Sequence, residues 1–373
     1  MPKTGAEGRI NREPLRVVSD PNPSFSGVAV DLERNEVYAS DENLSQILVY
    51  DRLANTPASA PRTEPRRTLA GEETKLEFVS NVYVDPGGEI YATHGDSMQL
   101  LVFSRKQQGD APPLRQLRTP KSRSLAVDER HGEIFLVSQH DSAVVVFRKQ
   151  SAGREAPVRL LQGDRTGLSN PHGVVIDRRN ELIFVTNHGQ KSSRSAEGVS
   201  PTRLVPNWPL ERGLAVPGTG RFEPPSISVH GRAAQGDTPP LRVISGPRTQ
   251  LNWPAGIAID EQRGELYVAN DTGNSILVFR SDAAGDVPPI RVLKGPKTAL
   301  DSPTSLFLDT RHDELWVANF GNNALTVYLR TAEGDTPPLR AIRSGAAGSK
   351  ALMIGNPGAL AYDRKRAEIL VPN

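Results

Sequence analysis

The chain has 373 residues, of which 32 are glycine and 31 are proline, and it contains no cysteine. This proline content excludes a helix-rich protein, because a proline inside a helix costs about 3 kcal/mol, and the lack of cysteine excludes disulfides, thiolate zinc sites and a cysteine nucleophile. With 45 basic against 43 acidic residues the net charge is only +2, so no overall field favours a nucleic acid or an anionic membrane.

The two ends of the chain carry little signal of their own. The N-terminal stretch MPKTGAEGRINREP contains no hydrophobic leader, and no apolar run in the chain approaches the roughly 18 residues of a membrane-spanning helix. Leu15–Val18 matches the strand that opens a repeat unit, and Glu368–Asn373 matches the third strand of a unit. We therefore expect the N-terminal strand to join the C-terminal blade and to close a ring.

Between these ends the chain repeats one unit of about 49 residues. Residues 236–280 (GDTPPLRVISGPRT…) and 285–330 (GDVPPIRVLKGPKT…) match nearly position for position, which is the signature of a repeat architecture. An aspartate that follows an apolar-x-apolar triplet marks each unit. The markers are Asp31, Asp85, Asp128, Asp177, Asp260, Asp309 and Asp363.

Each unit contains four strand signals separated by turns, which in the 236–280 copy are Leu241–Ile244, Gly256–Ile259, Glu265–Ala269 and Ile276–Phe279. The marker aspartate is expected to accept backbone N–H bonds in an Asx-turn. Repeated groups of four short strands with almost no helix indicate an all-β protein, a single β-propeller. We predict one domain over residues 1–373 with seven blades of four antiparallel strands, and six blades as the alternative.

The phrases PAGIAIDEQRGELYVANDTGNSILVF and NPHGVVIDRRNELIFVTN resemble NHL-type repeats, and the GD-x-P-P-[LI]-R linker resembles that of bacterial repeat proteins of this group. The resemblance covers nearly the whole chain and implies a propeller that often has six blades. It leaves the function open, because NHL-like propellers include protein-binding scaffolds, RNA binders, lyases and lactonase-like hydrolases.

The repeats themselves separate scaffold from site, since a residue present in every unit builds blades and a residue peculiar to one unit is a candidate for function. The marker aspartates are structural by this test. So are the outer-strand arginines, which we expect to pair with the linker aspartates Asp110, Asp237, Asp286 and Asp335. The arginines are Arg16, Arg67, Arg115, Arg159, Arg242, Arg291 and Arg340.

Two sets of positions are predicted to lie at the mouth of the central channel. At the end of the second strand most units have an asparagine or serine, whereas Asp41 and His94 break the rule. Five residues before each marker, Arg123 and His172 stand out, and His188 follows the second strand of the fourth unit. Asn187, Asn270, Asn319 and Asn373 are expected to cap local backbone groups.

One hypothesis is that His94, His172 and His188 converge there, with Asp41 or Arg123 nearby. Three imidazoles would hold a divalent metal such as Zn²⁺ with an open position for water. Alternatively His172 or His94 would act as a general base beside Arg123. The competing interpretation is a set of scattered polar residues around a water-filled opening. His140 is a further candidate, whereas His131, His230 and His312 are expected to be solvated.

The most individual feature is the insertion of residues 188–222 between the second and third strands of the fourth repeat. Long irregular loops in compact folds are usually functional. We expect it to contact a partner or to fold back as a lid, and tryptophan is enriched at interface hot spots. The predicted partner-binding residues are Arg203, Leu204, Trp208, Leu210, Arg212 and Trp253.

The leading functional hypothesis is a non-enzymatic scaffold that binds a protein or polymer on its loop-rich face, without a cofactor. The alternative is an enzyme, a lyase or lactonase-like hydrolase using the three histidines with or without a metal. A subunit of a larger surface assembly is the third. Only 20 residues are aromatic, which disfavours RNA. Export to the periplasm or the cell exterior is expected, with the cytoplasm as the alternative.

Overall fold

The computed structural model describes residues 22–94, 97–191 and 220–345, and the backbone of 194–195, 214–215, 361–363 and 368–370. The chain divides into two compact units. One comprises Asn22–Ala351, and the other combines Met1–Pro21 with Leu352–Asn373. The prediction of one domain over the whole chain stays a prediction.

The first unit contains six antiparallel sheets of four strands, each ordered along the chain from its innermost to its outermost strand. Blade 1 is β1 (Phe25–Asp31), β2 (Glu36–Asp41), β3 (Gln46–Asp51) and β4 (Arg67–Leu69), and blade 2 is β5 (Val79–Val84), β6 (Glu89–His94), β7 (Gln99–Ser104) and β8 (Arg115–Arg118). Blade 3 is β9 (Ser124–Asp128), β10 (Glu133–Ser138), β11 (Ala143–Arg148) and β12 (Arg159–Gln162), and blade 4 is β13 (Pro171–Asp177), β14 (Leu182–Asn187), β19 (Ser226–Gly231) and β20 (Arg242–Ser245). Blade 5 is β21 (Pro254–Asp260), β22 (Glu265–Asn270), β23 (Ser275–Arg280) and β24 (Arg291–Leu293), and blade 6 is β25 (Pro303–Asp309), β26 (Glu314–Asn319), β27 (Ala324–Leu329) and β28 (Arg340–Arg343).

The insertion between β14 and β19 contains further short strands, where the sequence predicted irregular structure. They are β15 (Gln190–Lys191), β16 (Arg194–Ser195), β17 (Leu214–Ala215) and β18 (Arg221–Phe222), and β15 pairs with β18 and β16 with β17. Short 3-10 helices precede four innermost strands, at Glu72–Thr74, Asp164–Thr166, Pro247–Thr249 and Pro296–Thr298. No helix in the described part of the chain has the length and apolarity needed to cross a membrane.

The ring closes after six blades. Six apolar clusters each combine side chains of two neighbouring blades, and the cluster between blades 6 and 1 packs Phe25 and Val28 against Trp316 and Val327. Burial of these faces supplies the main stabilisation of the ring. The β-propeller is therefore confirmed with the alternative count of six blades, and the leading count of seven is corrected.

Each of the six sheets takes its strands from one stretch of chain, so within the described residues the ring closes without an exchanged strand. Instead, the linker after the third strand of one blade pairs with the outer strand of the blade before it, as in the bridges Leu69–Gly109 and Ile244–Gly285. At the closure, the backbone N–H of Thr56 donates to the Ala341 carbonyl at 2.8 Å. Leu15–Val18, the predicted closing strand, lies outside the described residues.

The seventh marker belongs to the second unit. There β29 (Ala361–Asp363) and β30 (Glu368–Leu370) form a hairpin in which Asp363 pairs with Glu368. Asp260 and Glu265 make the same pair in blade 5. The hairpin thus repeats the register of the first two strands of a blade, which is why the sequence counts seven units.

Five marker aspartates, Asp31, Asp128, Asp177, Asp260 and Asp309, form the predicted Asx-turns, whereas Asp85 accepts the backbone N–H of Glu89 four residues on, and the side chain of Asp363 lies outside the described residues. The Asp260 carboxylate, for example, accepts the backbone N–H groups of Gln262 and Arg263 at 3.0 and 3.1 Å. Several also pair with a basic residue of the next blade, and Asp309 lies 3.9 Å from Arg52 across the closure. The marker set is therefore structural, since it shapes hairpins and joins blades.

The six outer-strand arginines in the described residues do not pair with the linker aspartates as expected, and Arg16 lies outside the described residues. Arg67, Arg115, Arg159, Arg291 and Arg340 instead bind the glutamate that opens the second strand of their own blade, as Arg291 binds Glu265 at 2.6 and 2.9 Å. Blade 4 has Leu182 at that position, so Arg242 donates to the Ser281 carbonyl. The linker aspartates accept backbone N–H groups of the 3-10 helices, as Asp286 does from Arg248 at 2.7 Å.

His230 is not the solvated residue that the sequence predicted. It lies in β19, opposite Ile183, where the other blades carry Tyr50, Phe103, Phe147, Phe279 and Tyr328. Its side chain is buried, and neither ring nitrogen has a hydrogen-bond partner among the described residues. Burial lowers the pKa of His230 to about 4.

We expect the His230→Phe variant to gain stability over the parent in acid. Because the folded-state pKa lies below the unfolded value, the unfolded chain binds the proton first, and stability is lost as pH falls from about 6.5 to about 4. The difference should reach about 3 kcal/mol. Urea unfolding from pH 7.5 to 4.5 measures it, and Phe279→His, at the same position in blade 5, should introduce the same pH dependence. A pH-independent difference between parent and variant would contradict this.

Candidate functional site

Two kinds of loop open on one face of the ring, the loop into each innermost strand and the loop between each second and third strand. At this face the structure brings together what we call the mouth cluster. It consists of Glu42, Arg123, Asn170, His172, His188, Trp253, Asp271 and Ser302.

A capping position ends each second strand. The side-chain oxygens of Asn187, Asn270 and Asn319 accept the backbone N–H of the loop that precedes the innermost strand, at 3.1, 2.6 and 3.2 Å. This satisfies a donor that the turn would otherwise leave unpaired. The predicted capping role is therefore confirmed for these three, while Asn373 lies outside the described residues.

Asp41 and His94 perform the same task and are not exceptions in function. The Asp41 carboxylate accepts the backbone N–H of Ser24 at 2.7 Å, and His94 Nδ1 accepts that of Glu77 at 3.3 Å. Both side chains are fully buried, which raises the pKa of Asp41 to about 6 and lowers that of His94 to about 4. The capping position requires only a hydrogen-bond acceptor, so aspartate and histidine both serve there in place of asparagine.

The position five residues before each marker ties neighbouring blades together. The hydroxyls of Ser26, Ser80 and Thr304 donate to carbonyls of the next blade, at Val79 (2.6 Å), Ser122 (2.9 Å) and Ser26 (3.1 Å). These bonds join blades 6, 1, 2 and 3 in sequence around the axis.

Blades 3, 4 and 5 depart from this rule, with Arg123, His172 and Ala255 at the tying position. In blade 4 the tie is supplied by Thr186, whose hydroxyl donates to the Ala255 carbonyl at 2.6 Å. His172 is thereby released from the tie. It sits at a register shift between Pro171 and Gly173 that blades 1, 2, 5 and 6 share at the same position, so this irregularity belongs to the repeat.

His172, His188 and Trp253 form a stack of three rings. The ring centroids of the two histidines lie 3.3 Å apart with an interplanar angle of 15°, and His188 and Trp253 follow at 5.0 Å and 28°. His188 is buried, whereas 49% of Trp253 is exposed. The stack therefore runs from the half-buried His172 through the buried His188 to the exposed indole of Trp253.

Hydrogen bonds around the second-strand ends fix this stack. His172 Nε2 lies 3.0 Å from Asn170 Oδ1, and the Asn170 carbonyl accepts the backbone N–H of His188 at 3.1 Å. The Trp253 carbonyl accepts that of Asp271 at 3.1 Å in the same way. Asn170 and Trp253 both have positive φ, as Phe78 and Ser302 do at the same position, so this backbone conformation belongs to the repeat.

Burial keeps both histidines uncharged at neutral pH. It is the first cause that lowers the pKa of His188 to about 3 and that of His172 well below 6.5, and the Arg123 guanidinium lowers both further. His140 also lowers the pKa of His172, which places it near the stack. A base of such low pKa accepts a proton poorly at neutral pH, so the stack provides ring surface and hydrogen-bonding nitrogens.

Arg123 links the two sides of the mouth. Its guanidinium donates to the Glu42 carboxylate at 3.1 Å, although Arg123 belongs to blade 3 and Glu42 to blade 1. Burial raises the pKa of Asp271. A hydrogen bond with Ser302 and the positive charge of Arg123 partly offset this rise. The Arg123 guanidinium thus pairs with Glu42, and its charge also acts on His172, His188 and Asp271.

The predicted three-histidine site is not assembled. Within the described ranges, no group of three or more histidine, aspartate or glutamate side chains is arranged to hold a metal. His172 and His188 meet, with Arg123 near, but His94 and Asp41 are held at capping positions of blades 2 and 1. The partner-binding candidates Arg203, Leu204, Trp208, Leu210 and Arg212 lie outside the described residues.

Glu42, Asp271 and Asn170 were not predicted from the sequence. Glu42 and Asp271 directly follow the capping residue, as His188 does, and this column varies from blade to blade. Asn170 lies seven residues before its marker, in the column of Trp253. The signal for all three is that these two columns vary from blade to blade next to positions with a shared structural role.

No family model matches the chain, and no curated protein matches it. Among solved structures, hydrazine synthase from Kuenenia stuttgartiensis is similar, with a TM-score of 0.54 at 14% identity over 87% of this chain and 100% of that chain. A likeness at this identity shows the propeller-like fold alone.

We expect His94→Asn to preserve stability and His94→Ala to lower it by about 1–3 kcal/mol. The reason is that asparagine restores the acceptor for the Glu77 N–H group, as it does in three other blades, while alanine leaves it unpaired. Denaturant unfolding at pH 7.5 measures both, with Asn319→Ala as the matched control in blade 6. An asparagine variant as unstable as the alanine variant would exclude the capping role.

Proposed function

We propose that this protein is a non-enzymatic, NHL-like propeller that binds a protein or polymer partner at the mouth of its loop-rich face. The observation that carries the proposal is the His172–His188–Trp253 stack, with its half-exposed indole beside Arg123 and Asp271. Binding sites typically combine aromatic surface with a few polar groups that fix orientation.

The distribution of ring ties supports this location. Serine and threonine hydroxyls at the tying position join blade 6 to blade 1, blade 1 to blade 2 and blade 2 to blade 3. The same position holds Arg123 in blade 3, His172 in blade 4 and Ala255 in blade 5. The residues that differ from the repeat therefore lie on one side of the axis, where the stack forms. Low basicity of both histidines favours binding over proton transfer as their role.

The insertion supports the same location. It begins beside His188, and its first strand pair joins Gln190 to Phe222, whose side chain is exposed. Gly189 has a φ of 95°, and a Cβ there would clash with the Glu223 carbonyl oxygen. The glycine thus allows the two chain segments to leave the mouth side by side. We also propose that the protein is exported, which the N-terminal sequence of the native protein tests.

Trp253→Ala should reduce binding at least tenfold, because truncation of a central aromatic anchor commonly costs 2 kcal/mol or more. The immobilised chain is exposed to labelled extract of the cells that produce it, and the retained label is quantified. Leu241→Ala, an exposed residue before the outer strand of blade 4, serves as control and should retain the parental amount. Equal retention by Trp253→Ala and the parent would overturn the proposal.

Deletion of residues 190–221 should leave the fold intact and abolish retention in the same assay. All four strands of blade 4 lie outside the deleted segment, so its sheet keeps its pairing. Far-ultraviolet circular dichroism and the unfolding midpoint establish that the fold is kept. Undiminished retention by a folded deletion variant would show that the insertion makes no contact with the partner.

A further inference from the structure

The open end of the stack offers one flat apolar surface. The face of Trp253 toward His188 is covered at a centroid distance of 5.0 Å, yet 49% of the side chain remains exposed. The exposed half therefore includes the opposite face of the indole. A ligand that is flat and apolar on one side would bury this face without displacing His188.

The polar groups of the mouth cluster already have hydrogen-bond or ion-pair partners. Arg123 is paired with Glu42 at 3.1 Å, Asp271 is hydrogen-bonded by Ser302, and the Asn170 amide donates to Gln190 at 3.1 Å. His172 and His188 are uncharged at neutral pH. These are planar groups with hydrogen-bonding capacity and little uncompensated charge.

This balance disfavours a charged ligand. An anionic ligand that bound Arg123 would compete with the buried Glu42 carboxylate, which already accepts a hydrogen bond from the guanidinium at 3.1 Å. A cationic ligand near Asp271 would be repelled by Arg123, which is close enough to shift the pKa of Asp271. A neutral ligand rich in hydroxyl groups avoids both penalties.

Sugar rings combine an apolar face of C–H groups with hydroxyls around the edge. The apolar face can stack on the exposed indole, and the hydroxyls can hydrogen-bond to the guanidinium, carboxylate and amide groups of the mouth cluster. We propose that the mouth cluster binds a neutral oligosaccharide, with one sugar ring stacked on Trp253 and its hydroxyls bonded to Arg123 and Asp271. This inference rests on the proposed binding function and names the class of polymer.

The test uses the full chain and four defined probes, maltohexaose, cellohexaose, chitohexaose and, as the charged comparator, hexagalacturonate. Calorimetry gives the affinities, and the indole N–H resonance of Trp253, identified by its absence in Trp253→Phe, reports the place of binding. We expect at least one neutral hexasaccharide to bind and to shift this resonance. Binding should fall at least tenfold in Trp253→Ala, less in Trp253→Phe, and not at all in Leu241→Ala.

Two outcomes would overturn the inference: no neutral hexasaccharide binds, or hexagalacturonate binds as tightly as the best neutral probe. Failure of the binding function itself is distinguishable, because it appears in the extract assay. If Trp253→Ala loses retention there while no hexasaccharide binds the parent, the mouth binds a partner of another class, such as a protein. If retention and hexasaccharide binding are both unaffected by Trp253→Ala, both proposals fail.

Discussion

A blade of this chain has two apolar faces, and only another blade can cover each of them. Six clusters of buried side chains, one for each pair of neighbours, meet this requirement. The ring must close for the first and last faces to be covered, and Phe25 of blade 1 and Trp316 of blade 6 share the closing cluster. The linker contacts, the marker aspartates and the hydroxyl ties near the axis all join neighbouring blades and stabilise this closure. The mouth depends on the closed ring that they stabilise.

Arg123 and His172 of the mouth cluster occur in blades that do not use the tying position to bond the next blade. Blades are joined near the axis by hydroxyls at a repeated position, but Thr186 carries the tie from blade 4 to blade 5 from a neighbouring strand. His172 is consequently free to stack on His188 without a gap in the ring. Arg123, at the tying position of blade 3, reaches Glu42 across blade 2 instead of bonding the next blade. Arg123 and His172 therefore occupy positions that other blades use to tie the ring.

The repeats in the sequence predicted the strands, the Asx-turns and the asparagine caps, because each depends on a local pattern that recurs. The blade count depended on a long-range property, the packing of β1 on β25, and the hairpin at Asp363 repeats the local pattern in the other unit. Asp41 and His94 looked individual because residue type changed while the acceptor role did not. Glu42 and Asp271 differ from the residues at the same position in other blades, but the contact of Glu42 with distant Arg123 leaves no trace in sequence spacing.

The stack is protected from protonation by the same burial that makes the fold sensitive to acid. His94, His172, His188 and His230 all have pKa values lowered by burial. Each therefore removes about 1.4 kcal/mol of stability per pH unit below about 6.5, while the raised pKa of Asp41 offsets one of them between about pH 6 and 4. These losses add, so we expect the ring to become less stable as the pH falls below about 6.5. Burial thus keeps both stacked imidazoles uncharged at neutral pH while it makes the folded ring sensitive to acid.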